Sequence, residues 1–236
     1  MADKLHKTKG IVLRSVKYGE TSVVVSIFTS LFGVQSYLVS GVRTATKKGT
    51  GKANLFQPAA ILDLVVYHHE NKQLNRIKEF RWGFIYQNVF SDVPKNAVAL
   101  FMTELLGKCL KQPESNPELF EFTEDVFENL DHSLGTVMAN LPLFFALHLP
   151  VHFGFRMDDN YTEQLTYLDL REGMFVAEQP MHPHFLEPKE AAIVSQLLKV
   201  MQPEELGRSN WVMISAGIYS KDWKHFMPCI FRISAR

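Results

Sequence analysis

The sequence predicts an α+β protein in which a small β-barrel precedes a mainly helical domain, and three features of its 236 residues carry that expectation. Apolar runs of period two, bounded by turn residues, fill residues 9–80; beyond residue 80 the apolar positions recur at three and four, as on a helix. The charge divides along the same line. Residues 1–80 hold twelve Lys and Arg against five Asp and Glu, and the remainder thirteen against twenty, so formal neutrality conceals a basic front and an acidic back. The domains expected are therefore 1–80 and 81–236.

In order, Gly10, Ile11, Val12 and Leu13 open the first strand and Tyr18, Gly19, Glu20 and Thr21 turn it into a second over residues 22–29. Leu31, Phe32 and Gly33 make the next turn. A third strand includes Tyr37, Leu38 and Val39; a fourth spans 60–67, with Leu62, Leu64 and Val66 on one face; a fifth spans 74–80. Pro58, expected just inside the fourth, predicts an edge or a bulge there. Five short strands in this span fit a closed or partly closed barrel, and the OB-fold is the common barrel of this size that holds nucleic acid.

The helical part begins at Pro94, with Ala97, Val98, Leu100, Phe101, Leu105 and Leu106 as its stripe and Pro113 as its stop. A second helix is expected over 117–130, with Leu119, Phe120, Phe122, Val126, Phe127 and Leu130 opposite a row of carboxylates. A third, over 134–150, is apolar nearly all round and should lie at the centre of the helical part. Residues 154–186 break the helical period and hold two β-like pieces, 165–170 and 174–177. A last helix is expected over 188–201, and beyond Gly207 no element is assigned.

The connector between the third and fourth strands carries Arg43, Lys47, Lys48 and Lys52, with Gly41, Gly49 and Gly51 among them. A segment so basic cannot pack, and a polyphosphate backbone is the anion that rewards several cations in a row. A solvated loop is the bland alternative. Arg14, Lys17, Arg76 and Lys78 lie on strands, where half of any sheet is wet; of these Arg14, Lys17 and Arg76 join the candidate DNA-binding set.

Other chemistries fit less well. Gly49, Thr50, Gly51 and Lys52 resemble a phosphate cradle, but Ala53 stands where a magnesium-binding hydroxyl belongs, and Thr46 where the first glycine belongs. His148 and His152 are four apart with Pro150 between them, and His182 and His184 flank Pro183; no thiolate accompanies them, so no metal or other cofactor is expected. Asp158, Asp159 and Asn160 read as a turn before they read as a nuclease site. The two cysteines, Cys109 and Cys229, form no framework, which suits a reducing compartment. Residues 137–155 are uncharged and long enough to span a bilayer, but two prolines, Asn140 and two histidines interrupt them; a buried helix and a cytoplasmic protein without membrane contact are expected.

Taken as an ordered series, several of these pieces resemble the RecO family of bacterial DNA repair and recombination mediators. The series is Gly10-Ile11-Val12-Leu13-Arg14, the Tyr18-Gly19-Glu20 turn, Phe28-Thr29 followed by Phe32-Gly33, Ser40-Gly41-Val42-Arg43 leading into the basic loop, and Leu55-Phe56-Gln57-Pro58 leaving it. Residues 144–155 look like the family's central helix. The resemblance implies an N-terminal OB-fold, a helical C-terminal domain, binding of single- and double-stranded DNA, and annealing of complementary strands. It also implies partnership with RecR and with the acidic, phenylalanine-ended tail of single-stranded DNA-binding protein, and indirectly the loading of RecA. Lys108, Lys111 and Arg156, the cations nearest the apolar helices in sequence, are the candidates for that tail. Many relatives in the family it resembles carry a four-cysteine zinc site after the central helix, whereas residues 154–186 contain no cysteine. A non-enzymatic DNA-binding mediator is the leading expectation; a metal-dependent phosphodiesterase using Asp158, Asp159 and the histidines on an OB platform, and a protein-binding scaffold, are the rivals.

Overall fold

The computed structural model describes residues 5–43, 52–69, 72–110 and 112–207. Five strands close a barrel in the order β1-β2-β3-β5-β4, with β4 returning to β1: β1 Leu5–Tyr18, β2 Ser22–Thr29, β3 Gly33–Val39, β4 Ile61–Tyr67 and β5 Asn75–Trp82. All neighbours are antiparallel except β3 and β5, which pair in parallel through Tyr37 with Asn75 and Leu38 with Arg76. This is the five-stranded OB-type arrangement.

The first strand is far longer than its apolar run. β1 pairs with β4 from Leu5 to Ile11 and with β2 from Gly10 to Tyr18, so it serves both edges of the sheet. The inward positions before the crossing are Thr8, Gly10 and Val12, and a bulge between Val12 and Arg14 then shifts the alternation by one residue. Gly10 is required there by space, since a Cβ would come within 2.5 Å of Ile27 Cγ2 and 2.9 Å of Leu64 Cδ1. The barrel is filled by Val12, Val25, Ile27, Tyr37, Phe56, Leu62, Leu64 and Val66, with Phe56 against Phe80 at 4.8 Å. Pro58 precedes β4 instead of lying inside it. The strand starts only at Ile61, after Ala59 takes a left-handed φ of 70° and pairs its N–H with Val12 O at 2.8 Å.

Ile11, Phe28 and Ile61 form a row across three strands on the outside of the barrel, yet all three are fully buried. Helices cover this row. α1 (Val93–Cys109) starts at the Asp92 N-cap, whose carboxylate accepts from Lys95 N at 2.9 Å; α2 (Pro117–His132) starts beyond Asn116, whose side chain accepts from Leu119 N at 3.0 Å. α2 sets Phe120 5.5 Å from Phe28, and its Glu124 takes an ion pair from Lys9 at 2.8 Å. The compact unit that contains the barrel accordingly runs to Asp131.

Asp131, fully buried at the end of α2, closes that unit. Its carboxylate accepts from Gln87 N, Asn88 N and Val89 N at 2.7 to 2.9 Å, and its backbone carbonyl accepts from Asn88 Nδ2 and from the buried Lys95 Nζ. Nearby, Tyr86 donates its hydroxyl to Ala59 O at 2.9 Å, and burial, then the Asp131 charge, push its phenol well above the ordinary range.

The second unit starts at His132. α3 (Gly135–His148) is buried continuously from Asn140 to Leu147, which bears out its expected central place among the residues of this unit. The stretch Gly135–Phe153 is long and apolar enough to cross a bilayer, and 56% of it is buried inside the protein. A small sheet follows in the order β7-β6-β8: β6 Tyr167–Asp169, β7 Met174–Val176 and β8 Phe185–Leu186. α4 (Pro188–Leu198) and a short 3-10 turn (Pro203–Gly207) complete the described chain. The apolar stretches near Trp211 and Ile218 lie outside the described residues.

Replacing Asp131 by Ala removes the acceptor from three successive amides. It is expected to cost about 3 kcal/mol or more in urea unfolding, with Asp131→Asn, which keeps one carbonyl oxygen, losing less.

Candidate nucleic-acid interface

Past the bulge, Arg14, Val16 and Tyr18 point away from the barrel interior, paired across the hairpin with Ser26, Val24 and Ser22. The row Val16, Val24, Leu38, Arg76 then crosses four strands on one outer face. Val16 and Tyr18 are 46% and 58% exposed, large apolar surface left uncovered on the β1–β2 hairpin. An exposed aromatic ring with flanking cations is the arrangement on which bases stack while the backbone meets positive charge.

The predicted cations divide between two sheet faces. Arg14 and Arg76 stand on this outer face, and Lys17 is exposed on the opposite side of the same hairpin. Arg43 donates its backbone N–H to Thr21 O at 3.0 Å and its guanidinium to Gly19 O at 3.2 Å, tying the end of β3 to the hairpin turn. Lys52 belongs elsewhere. It lines a groove of about 800 Å³ over β4, β5 and the first half of β1, with Lys7, Lys9, Lys78 and Arg81 as fellow cations and Asp63 and Glu79 as the carboxylates. Arg81 spends its charge on Asp63, with Nε and Nη2 both 3.0 Å from Oδ2. Lys9 spends its own on Glu124, whose hydrogen bond holds the ammonium above its ordinary pKa. Lys47 and Lys48 lie outside the described residues.

Lys7, Lys9 and Arg81 were not expected in any site. Lys7 and Lys9 alternate with His6 and Thr8, a period-two signal that was legible, but the segment is polar throughout and lacks the apolar run that marks a strand.

Of the partner candidates, Lys108 lies on α1 in the first unit, ion-paired to Glu104 one turn back at 2.7 Å, and Arg156 is exposed in the second unit. Lys111 is outside the described residues.

The residues considered for metal are built into the second unit's own structure. Asp159 accepts from Ser195 Oγ at 2.6 Å and pairs with Lys199 at 3.3 Å, while Asp158 donates its backbone N–H to Gly173 O. Asn160 bonds both the N–H and the carbonyl of Phe175, acting as a strand edge for β7. His182 accepts at Nδ1 from His184 N, so in the neutral ring the proton sits on Nε2, where it is donated to the buried Asp169 at 3.1 Å. Among the described residues no three His, Cys, Asp or Glu groups converge as a metal site would require.

With this geometry in view, the family models match in chain order. Recombination protein O N terminal covers residues 1–84, and Recombination protein O C terminal covers residues 91–161. A relative named DNA repair protein RecO from Bacteroides fragilis is 33% identical over 199 residues, covering 83% of this chain and 80% of its own. The chain belongs to the RecO family. Relatives of the same name from Phocaeicola vulgatus (30% identical, 83% of this chain and 80% of the relative) and Flavobacterium johnsoniae (31% identical, 72% and 70%) agree. The C-terminal family match ends at residue 161, so the small sheet and α4 lie outside it.

His148 supplies a pH prediction for the second unit. Burial holds its imidazole below the ordinary value, assisted by neighbouring His152 and opposed by hydrogen bonds to the backbone at Val200 and Leu197. As pH falls, the unfolded chain therefore binds the proton first, and stability present above about pH 6.5 is lost as the pH drops from there towards the folded value. Urea midpoints of the wild type should fall across this range, and His148→Gln should lose part of that slope.

Proposed function

We propose that the chain is a DNA repair and recombination mediator. It binds single- and double-stranded DNA, anneals complementary strands, and helps load a recombinase of the RecA type onto single strands covered by single-stranded DNA-binding protein. The observation that carries this reading is the exposed Val16 and Tyr18 beside Arg14 and in line with Arg76, on the outer face of an OB-type barrel. Bases stack on Tyr18 while Arg14, Lys17, Arg43 and Arg76 hold the phosphates, a sequence-tolerant contact that suits a protein meeting any single strand. Lys47, Lys48 and Lys52 extend the positive charge along the connector between β3 and β4. Membership of a family whose relatives are named DNA repair proteins supports the cellular role.

The helices serve protein partners in this reading, RecR and the acidic tail of single-stranded DNA-binding protein, and the work is cytoplasmic, on the nucleoid. The functional division follows residues 1–80 and 81–236, although α1 and α2 are packed in the barrel's own compact unit.

Replacing Arg43, Lys47, Lys48 and Lys52 together by Ala removes four cations. It is expected to flatten the slope of log affinity against log salt for single-stranded DNA by about three units in fluorescence anisotropy. An unaltered slope would place the contact elsewhere, and cleavage of the strand when Mg²⁺ is added would make the protein an enzyme.

A synthetic acidic peptide ending in Phe should bind the full chain in the micromolar range, because one buried phenyl ring contributes only about 1.5 to 3 kcal/mol. Calorimetry should show that binding weakening with salt, and weakening further in Lys108→Glu and Arg156→Glu.

A further inference from the structure

Lys52 apart, the groove over β4, β5 and the first half of β1 is left unused by the contact proposed above, though five cations and only two carboxylates line it. Lys9 and Arg81 are already matched by Glu124 and Asp63, while Lys78 reaches Glu79 only at 3.8 Å, with its side chain 44% exposed. Lys7 and Lys52 are both exposed. Lys7, Lys52 and Lys78 are therefore the charges this groove presents to a ligand, and all three are lysines, flexible point charges suited to following a backbone without reading bases. The apolar lining is Leu64, Val65 and Phe80; Leu64 is buried and Val65 and Phe80 are half-buried, so little apolar surface is offered to a peptide side chain.

This groove and the stacking face are different stretches of one barrel wall that share β1 and β5, with Lys78 of the groove two residues beyond Arg76. Before the bulge β1 turns Lys7 and Lys9 outward, after it Arg14, Val16 and Tyr18. Between them α2 approaches the wall, with Phe120 against Phe28, the partner of Ile11, and Glu124 on Lys9. One continuous path along β1 is thereby interrupted.

We propose that the groove is a second nucleic-acid site, holding the sugar-phosphate backbone of another strand through Lys7, Lys52 and Lys78, so that a single barrel carries two strands at once. This rests on the reading of the chain as a DNA-binding protein. Two strands on neighbouring faces of one domain share a high effective concentration, which is what pairing them requires.

The test is the stoichiometry of a short oligothymidine, too short to span both faces, titrated calorimetrically at low salt into the full chain. Wild type is expected to take two equivalents. Lys7→Ala/Lys52→Ala/Lys78→Ala and Arg14→Ala/Tyr18→Ala should each take one, and the combined variant none, with urea midpoints confirming that each variant is folded. The triple-lysine variant, left with Arg14, Lys17, Arg43 and Arg76, should show the steeper salt dependence of the two. Two equivalents retained by the triple-lysine variant would overturn the proposal. One equivalent in wild type, removed by the hairpin substitutions alone, would overturn it while leaving the DNA-binding reading intact; no binding by wild type would defeat that reading itself. Unaltered oligonucleotide binding with loss of an acidic peptide from the triple variant would make the groove a protein site and overturn the proposal.

Discussion

A five-stranded sheet closes into a barrel only if one strand pairs on both of its edges, and here β1 does so with Gly10 and Ile11 engaged on both sides at once. Interior space at that crossing is so short that Ile27 and Leu64 occupy the volume a side chain at Gly10 would need. The bulge beyond Val12 lies where the strand has passed from β4 to β2 and reverses which residues face out. Every later feature of the surface follows from that reversal. Without it Val16 and Tyr18 would turn to the interior side, and Ser15 and Lys17 would take their place on the outer face.

The helices then decide how much of the outer surface stays available. Ile11, Phe28 and Ile61 are outward residues of a barrel wall, and an isolated barrel would leave them wet. α2 sets Phe120 on Phe28 of that row, and its end is fixed by Asp131, whose carboxylate occupies three amides of the segment joining β5 to α1. A buried carboxylate is costly unless its lone pairs are filled, and here backbone N–H groups fill them.

The second unit meets a different difficulty, since residues 154–186 combine short strands with little core of their own. This chain crosslinks the same stretch with side-chain hydrogen bonds: Asn160 to Phe175, His182 to Asp169, Ser195 and Lys199 to Asp159. Gly173, at a φ of 70°, lets the β6–β7 turn pass beneath the Phe155 ring, where a Cβ would come within 2.6 Å of Cζ.

The sequence by itself determined the class and order of the elements, because period two and period three-to-four are properties of neighbouring residues, and β2, α2, α3 and α4 were legible on that ground. It also determined the family, through an ordered series of short motifs that includes Gly10 and Gly33, positions where the fold leaves room for glycine alone. Only the tertiary structure decided what the cations do. Arg43 and Lys52 look equivalent in a basic connector, yet one is bonded to the hairpin turn and the other lines a groove over β4 and β5. Lys9 and Arg81 look as available as Lys7 and Lys78 until their carboxylate partners, 115 and 18 residues away, are in place. Charge is local in sequence but its neutralisation is not, and no periodicity in the chain records which acid will be folded against which base.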